Sequence, residues 1–178
     1  MTVPLKDQLL RDGIRVVLNT INQMFCAYFW KTCLEPEFIK DTTVHQARIG
    51  VENAAVESTL INIRCFDDFC GGVRKHPDDL IPSDFPGLNL GGPFLGAHRT
   101  DINKQVAHLT HLSLGREIHP YPYRKILRAA LPSVRAFCAY ASTVAAGDRQ
   151  LALFIDETLK VTEHVDRCYL NAEQAGSS

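Results

Sequence analysis

A polar stripe between Asp101 and His111 holds the residues best suited to chemistry. Asp101, Lys104, His108 and His111 are separated by three, four and three residues. These separations follow the helical period, so a helix would carry all four on one face, with Asn103 at the edge. A histidine can act as general acid or base near neutral pH, and a nearby lysine stabilises phosphate charge. The stripe therefore predicts either an acid–base site around His108, with a lysine that can stabilise phosphate charge, or a solvated polar helix face with a half-buried histidine.

A second stripe precedes it, where Glu57, Ile61, Arg64 and Asp68 follow one another at steps of four, three and four. The spacing of Arg64 and Asp68 predicts an ion pair along one helix. If the two helices pack together, Arg64 could approach His108. A cation and a general base would then share one cleft.

The elements that must position these residues are helical throughout. Five segments carry the helical period and none alternates as a strand does. The predicted helices span Lys6–Cys33, Thr43–Phe69, Thr100–Leu112, Pro122–Thr143 and 149–170. Thr43 and Thr100 are the expected N-terminal caps of the second and third helices, and Pro132 predicts a kink or break in the fourth.

Gly71-Gly72 should end the second helix, and the next 25 or so residues contain four prolines. The fold prediction is an all-α, single-domain bundle over 1–170, made of four to five mainly antiparallel helices. It includes a long Pro/Gly-rich loop between the second and third helices, and residues 171–178 form a flexible polar tail.

Composition narrows the class of protein. The chain has 178 residues, a formal net charge of −1, 46% apolar and 22% charged residues. These values exclude a disordered chain and a nucleic-acid-coating polycation. Charged residues interrupt the N-terminal region and no apolar run is long enough to cross a membrane, so neither a signal peptide nor a membrane span is expected. Six cysteines without a short CxxC pair predict reduced thiols and a cytoplasmic protein.

The run Asn103-Lys-Gln-Val-Ala-His108 resembles the motif-bearing helix of the HEPN superfamily, compact α-helical bundles many of which are metal-independent endoribonucleases. Residues 45–140 also resemble uncharacterised bacterial proteins of this helical type, which bring no known activity. The first resemblance implies RNA as substrate, no metal or cofactor, and a homodimer whose two motif helices face one another. It implies that His108 assists attack by the ribose 2′-hydroxyl and that Asn103 is its polar companion.

The family pattern has an arginine separated from this histidine by four to six intervening residues, and at those positions the present chain has Asn103, Ile102 and Asp101. Arg99 lies nine residues before His108, and nine helical steps turn it to the opposite face. Lys104 or Arg64 would have to replace the missing cation, although lysine lacks the bidentate fork of arginine. The candidate catalytic residues are therefore His108, Asn103, Lys104 and Arg64.

A basic stretch offers a further surface. Five cations occur between residues 116 and 135 against one acid: Arg116, Arg124, Lys125, Arg128 and Arg135. With Tyr121 and Tyr123 interleaved, the stretch predicts either contacts to a nucleic-acid backbone or a basic helix face that pairs with neighbouring acids.

Two functions follow from these patterns. The first is an RNA-binding protein or metal-independent ribonuclease. The second is a non-catalytic helical interaction module that uses the 71–97 loop to bind a protein partner or a small ligand.

Overall fold

The computed structural model describes residues 5–33, 42–107 and 122–170, without the side chains at 5, 30–33, 42–49, 104–107 and 169. Within these ranges the regular structure is entirely helical, which confirms the all-α prediction. The helices are α1 (Leu5–Cys33), α2 (Thr42–Gly71), α3 (His98–Ala107), α4 (Tyr123–Val144) and α5 (Arg149–Val165). A π-helical turn, Asp166–Leu170, continues α5. The predicted polar tail at 171–178 lies outside these ranges.

Helix α1 is the central element, because it packs against α2, α4 and α5. Its predicted apolar stripe forms much of the core, and Ile14, Ile21 and Phe25 are fully buried. The matching stripe of α2 buries Leu60 and Ile63 against it. Amphipathic helices of this kind are stabilised mainly by burying one apolar face rather than by intrinsic propensity. No helix in the described part of the chain is long and apolar enough to cross a membrane.

Local signals placed some helix ends correctly. Helix α2 ends at Gly71, and Gly72 takes a φ of +67°, which suits a residue without a Cβ. Helix α5 begins after Asp148, whose carboxylate accepts a hydrogen bond from the Leu151 amide at 3.0 Å. The expected cap at Thr43 depends on a side chain outside the described set.

The predicted start of the third helix is wrong. Helix α3 begins at His98, two residues before Thr100, so Thr100 lies inside the first turn rather than capping it. The amide of His98 donates to the Leu95 carbonyl at 3.0 Å, which starts the turn earlier. The capping rule missed this start because Leu95 is fixed by a contact distant in sequence, described below.

Helix α4 continues through Pro132 without the break that the sequence predicted as one possibility. An interior proline costs about 3 kcal/mol in lost backbone hydrogen bonding. Leu131 and Val134 are buried beside it, and burying each stabilises the helix by about 2 kcal/mol. Packing of the apolar face therefore offsets the cost of the proline.

The segment that joins α2 to α3 spans residues 72–97 and includes one short 3-10 turn, Pro82–Asp84. Phe85 and Leu95 of this segment are buried in the core. A Cβ at Gly13 of α1 would lie 3.3 Å from the Phe85 Cζ atom. The glycine that weakens α1 on propensity grounds thus leaves room for Phe85.

Candidate functional site

The structure places only part of the predicted catalytic set. Arg64 is half-buried on α2, and Asn103 is half-buried on α3. The backbone of Lys104 belongs to α3, but its side chain lies outside the described set, as does all of His108. The predicted approach of Arg64 to His108 therefore stays a prediction.

The predicted ion pair between Arg64 and Asp68 is wrong within the described residues. The Asp68 carboxylate accepts instead from Lys75 Nζ, at 2.8 Å, and from the Arg99 guanidinium. Lys75 follows α2 and Arg99 opens α3, so both cations arrive from outside the helix that carries Asp68. Spacing along one helix cannot detect such competitors.

Asp67 is the centre of this cluster. Its side chain is 0% exposed, and one carboxylate oxygen accepts from the amides of Phe94 and Leu95 at 2.7 and 2.8 Å. The other oxygen accepts from Arg99 Nη1 at 2.5 Å. A buried carboxylate requires such partners, because an isolated buried charge is strongly unfavourable. Asp67 thereby joins α2 to the end of the 72–97 segment and to α3.

We call Asp67, Asp68, Lys75 and Arg99 the Asp67 network. Its two carboxylates and two cations balance in formal charge. Because Arg99 binds both acids, part of its guanidinium is already committed to the fold. The network therefore has the character of a structural junction rather than an anion site.

Arg74, the one arginine of the 72–97 segment, is also engaged by groups of the fold. Its guanidinium donates to the carbonyls of Pro77 and Asp79 at 3.1 and 2.8 Å, and to Asp84 at 2.5 Å. These hydrogen bonds join residues of the same segment and stabilise its conformation. They leave Arg74 engaged within the fold.

The Asp67 network makes the stability of the fold depend on pH in a definite direction. Partial burial alone would raise the pKa of Asp68, but the hydrogen bonds from Lys75 and Arg99 outweigh it and lower that pKa. A pKa lower in the folded than in the unfolded state means that ionised Asp68 stabilises the fold. This contribution is present above the unfolded value of about 4 and is lost as the pH falls through the lower folded-state pKa.

We therefore expect Asp68→Asn to flatten the acid limb of the stability profile. Urea unfolding of both proteins at several pH values between about 6 and 3 measures the difference. The gap between wild type and variant should narrow as the pH falls. Parallel profiles would contradict the assignment.

The described part of the basic stretch falls on α4. Arg124, Arg128 and Arg135 lie on one face of α4, because steps of four and seven residues return close to the same direction. Arg135 pairs with Asp166 at 3.1 Å, as the basic-face interpretation expected. Tyr123 is 7% exposed, so the expectation that it stacks on bases is wrong for this conformation. The ring of Tyr123 instead packs in the core against the ring of Tyr28.

Two other members of the predicted basic surface, Arg116 and Tyr121, lie outside the described ranges.

Arg128 differs from its neighbours on α4. Its Nε and Nη2 atoms are buried, and neither has a hydrogen-bond partner among the described residues. Native proteins pair nearly all buried polar groups, so these two nitrogens stand out from the other donors of α4.

Across residues 5–33, 42–107 and 122–170, no group of three or more His, Cys, Asp or Glu side chains is placed to hold a metal ion.

Comparisons with known proteins add no assignment, because no family model, no curated protein and no solved structure matches this chain.

Sequence reasoning missed Asp67 and set Arg99 aside. A signal for Asp67 was present: Leu60, Ile63 and Asp67 are spaced as one helix face, and the first two are apolar. A carboxylate on an apolar face predicts a buried ion pair. Its partner Arg99, 32 residues away, has no such local signal.

Proposed function

We propose that this protein binds RNA through the basic face of α4 and does not cleave it. The observation that carries the proposal is Arg128, with two buried guanidinium nitrogens that lack acceptors. Lys125, the residue after Arg124, is exposed and lies about one helical turn before Arg128. A phosphate oxygen is anionic and accepts bidentate hydrogen bonds, so it is the kind of acceptor that these two nitrogens lack, and it would reach them once the Arg128 side chain turns outward.

The energetics favour a ligand of this kind. Leaving a buried donor without a partner costs about 1–3 kcal/mol, and more when the group is charged. A bound phosphate would recover this cost, and phosphate contacts supply most of the affinity in sequence-independent nucleic-acid binding. The near-neutral net charge of −1 confines this role to a local surface rather than the whole protein.

Binding without cleavage is proposed because positions 101–103 carry no arginine and because acids hold the two cations of the Asp67 network. Arg99 is held by Asp67 and Asp68, and Lys75 by Asp68. In the resembled family an arginine holds the scissile phosphate while the histidine assists attack. In this chain Arg99 and Lys75 are bound to acids of the Asp67 network, and neither occupies the position of that arginine.

Fluorescence anisotropy with a labelled single-stranded RNA, in EDTA and at 50–200 mM salt, tests the proposal. We expect Arg128→Met to weaken binding and to reduce the salt slope of log K by about 0.7, the loss of one phosphate contact. Methionine keeps the apolar stem, which limits the effect on packing. Arg135→Met is the matched control, because Arg135 lies on the same face but is paired with Asp166.

Equal affinity and slope for wild type and Arg128→Met would overturn the proposal. If wild type shows no RNA binding, the interaction-module hypothesis replaces it, and the search turns to a protein or small-molecule partner. Metal-free cleavage that is lost in a folded His108→Ala variant would overturn the statement that RNA is not cleaved. Sedimentation velocity on the same samples measures the homodimer that the family resemblance implies.

A further inference from the structure

The described cysteines differ sharply in their surroundings. Cys70 and Cys138 are buried, and burial is the main cause that raises the pKa of each thiol to about 12. Burial also raises the pKa of Cys26 and of Cys65, although part of Cys65 reaches the surface. Since the thiolate is the reactive form, these four thiols are poor nucleophiles. Cys168 is exposed and has a different neighbour.

That neighbour is His164, one turn earlier in the chain. The Cys168 Sγ atom lies 3.9 Å from His164 Nδ1, within reach of an S–H···N hydrogen bond. The His164 ring packs against Phe29 of α1, with ring centroids 5.8 Å apart and an interplanar angle of 68°. His164 is exposed, and this edge-on contact with α1 favours a ring position beside the sulfur.

The backbone at this point departs from the regular helix. Residues Asp166–Leu170 form a π-helical turn at the end of α5, and Cys168 is its central residue. Single π turns inside or at the end of α-helices occur frequently at functional sites, because they re-aim side chains. An exposed thiol, a neighbouring imidazole and a π-helical turn thus coincide at Cys168.

We propose that Cys168 is a site of reversible modification by low-molecular-weight disulfides, with His164 as the proton acceptor. His164 Nδ1, in the tautomer that carries its proton on Nε2, takes the thiol proton from Cys168. The thiolate attacks one sulfur of the disulfide, so a new S–S bond forms to Cys168 and the original S–S bond breaks. The leaving thiolate takes the proton from the imidazolium, and the net products are a mixed disulfide on Cys168 and one free thiol.

The test uses the full-length reduced protein and glutathione disulfide as probe. Peptide mass spectrometry follows the rate of modification at each cysteine. We expect Cys168 to react at least about tenfold faster than Cys65, and His164→Gln to slow Cys168 by about tenfold or more. The rate at Cys65 should stay unchanged in that variant.

Cys65→Ser is the matched control, and it should leave the rate at Cys168 unchanged. Modification of the buried Cys70 or Cys138 in His164→Gln would show that this variant is partly unfolded. In that event His164→Asn, checked by circular dichroism, takes its place. The proposal is overturned if Cys65 reacts as fast as Cys168, or if the folded histidine variant modifies Cys168 at the wild-type rate.

Discussion

Replacing Asp67 with alanine should lower the free energy of unfolding by about 3–5 kcal/mol, the range found when one partner of a buried ion pair is removed. Asp67 is fully buried and accepts hydrogen bonds from two backbone amides and from Arg99. Without it, the amides of Phe94 and Leu95 lose their acceptor and Arg99 keeps only Asp68. Urea unfolding followed by far-UV circular dichroism measures the change in midpoint and slope.

Asp156→Ala is the control for this prediction. Asp156 also forms an ion pair, with Lys160 one turn along α5, but its side chain is 53% exposed. An exposed pair of this kind contributes about 0.5 kcal/mol or less. A loss for Asp67→Ala no greater than that for Asp156→Ala would show that the Asp67 network does not stabilise the fold.

Replacing Phe85 with alanine should have an effect of similar size, with a loss of about 3–5 kcal/mol. The Phe85 side chain is 2% exposed, although it belongs to the connection between α2 and α3. Its ring meets those of Phe69, Phe137 and Tyr140 edge-on, at centroid distances of 5.6, 5.9 and 6.2 Å. Truncation would leave a cavity at the meeting point of three aromatic rings.

Two further measurements separate the parts of this effect. Phe85→Leu keeps most of the apolar volume but removes the edge-on contacts, so we expect a smaller loss of about 1–1.5 kcal/mol. Limited proteolysis should cut the 72–97 segment faster in Phe85→Ala than in wild type. Leu153→Ala, at a side chain that is 53% exposed, serves as control and should change neither measurement. Unaltered stability in Phe85→Ala would contradict the packing role.

Both predictions concern the connection between α2 and α3. Phe85 anchors its middle in the aromatic core, and Asp67 anchors its end through two backbone hydrogen bonds. Proline and glycine content led the sequence analysis to consider a long loop that contacts a partner. The contacts show that Phe85 and Leu95 tie this segment to the core, while most of its other residues are exposed.

Local patterns were sufficient for the helices. The stripe of apolar residues at steps of three and four identified α1, α2 and α5, because each helix buries one face and the period of that face is visible in the chain. Gly71-Gly72 and Asp148 marked two helix ends, since stop and cap signals act through backbone groups only a few residues away. The sequence alone therefore determined the fold class and much of the helix layout.

The ion pairs of the candidate site could not be predicted from helical spacing. Helical spacing predicted an ion pair between Asp68 and Arg64, whereas in the folded chain Asp68 pairs with Lys75 and Arg99. Helical spacing likewise set Arg99 aside, because it was compared only with His108 on its own helix. The physical reason is that a charged side chain pairs with whichever opposite charge is nearest after folding, and contacts across 31 and 32 residues leave no period in the sequence. The sequence determined which faces are buried, and only the tertiary structure decided which charges meet, and so which cations remain to bind a ligand.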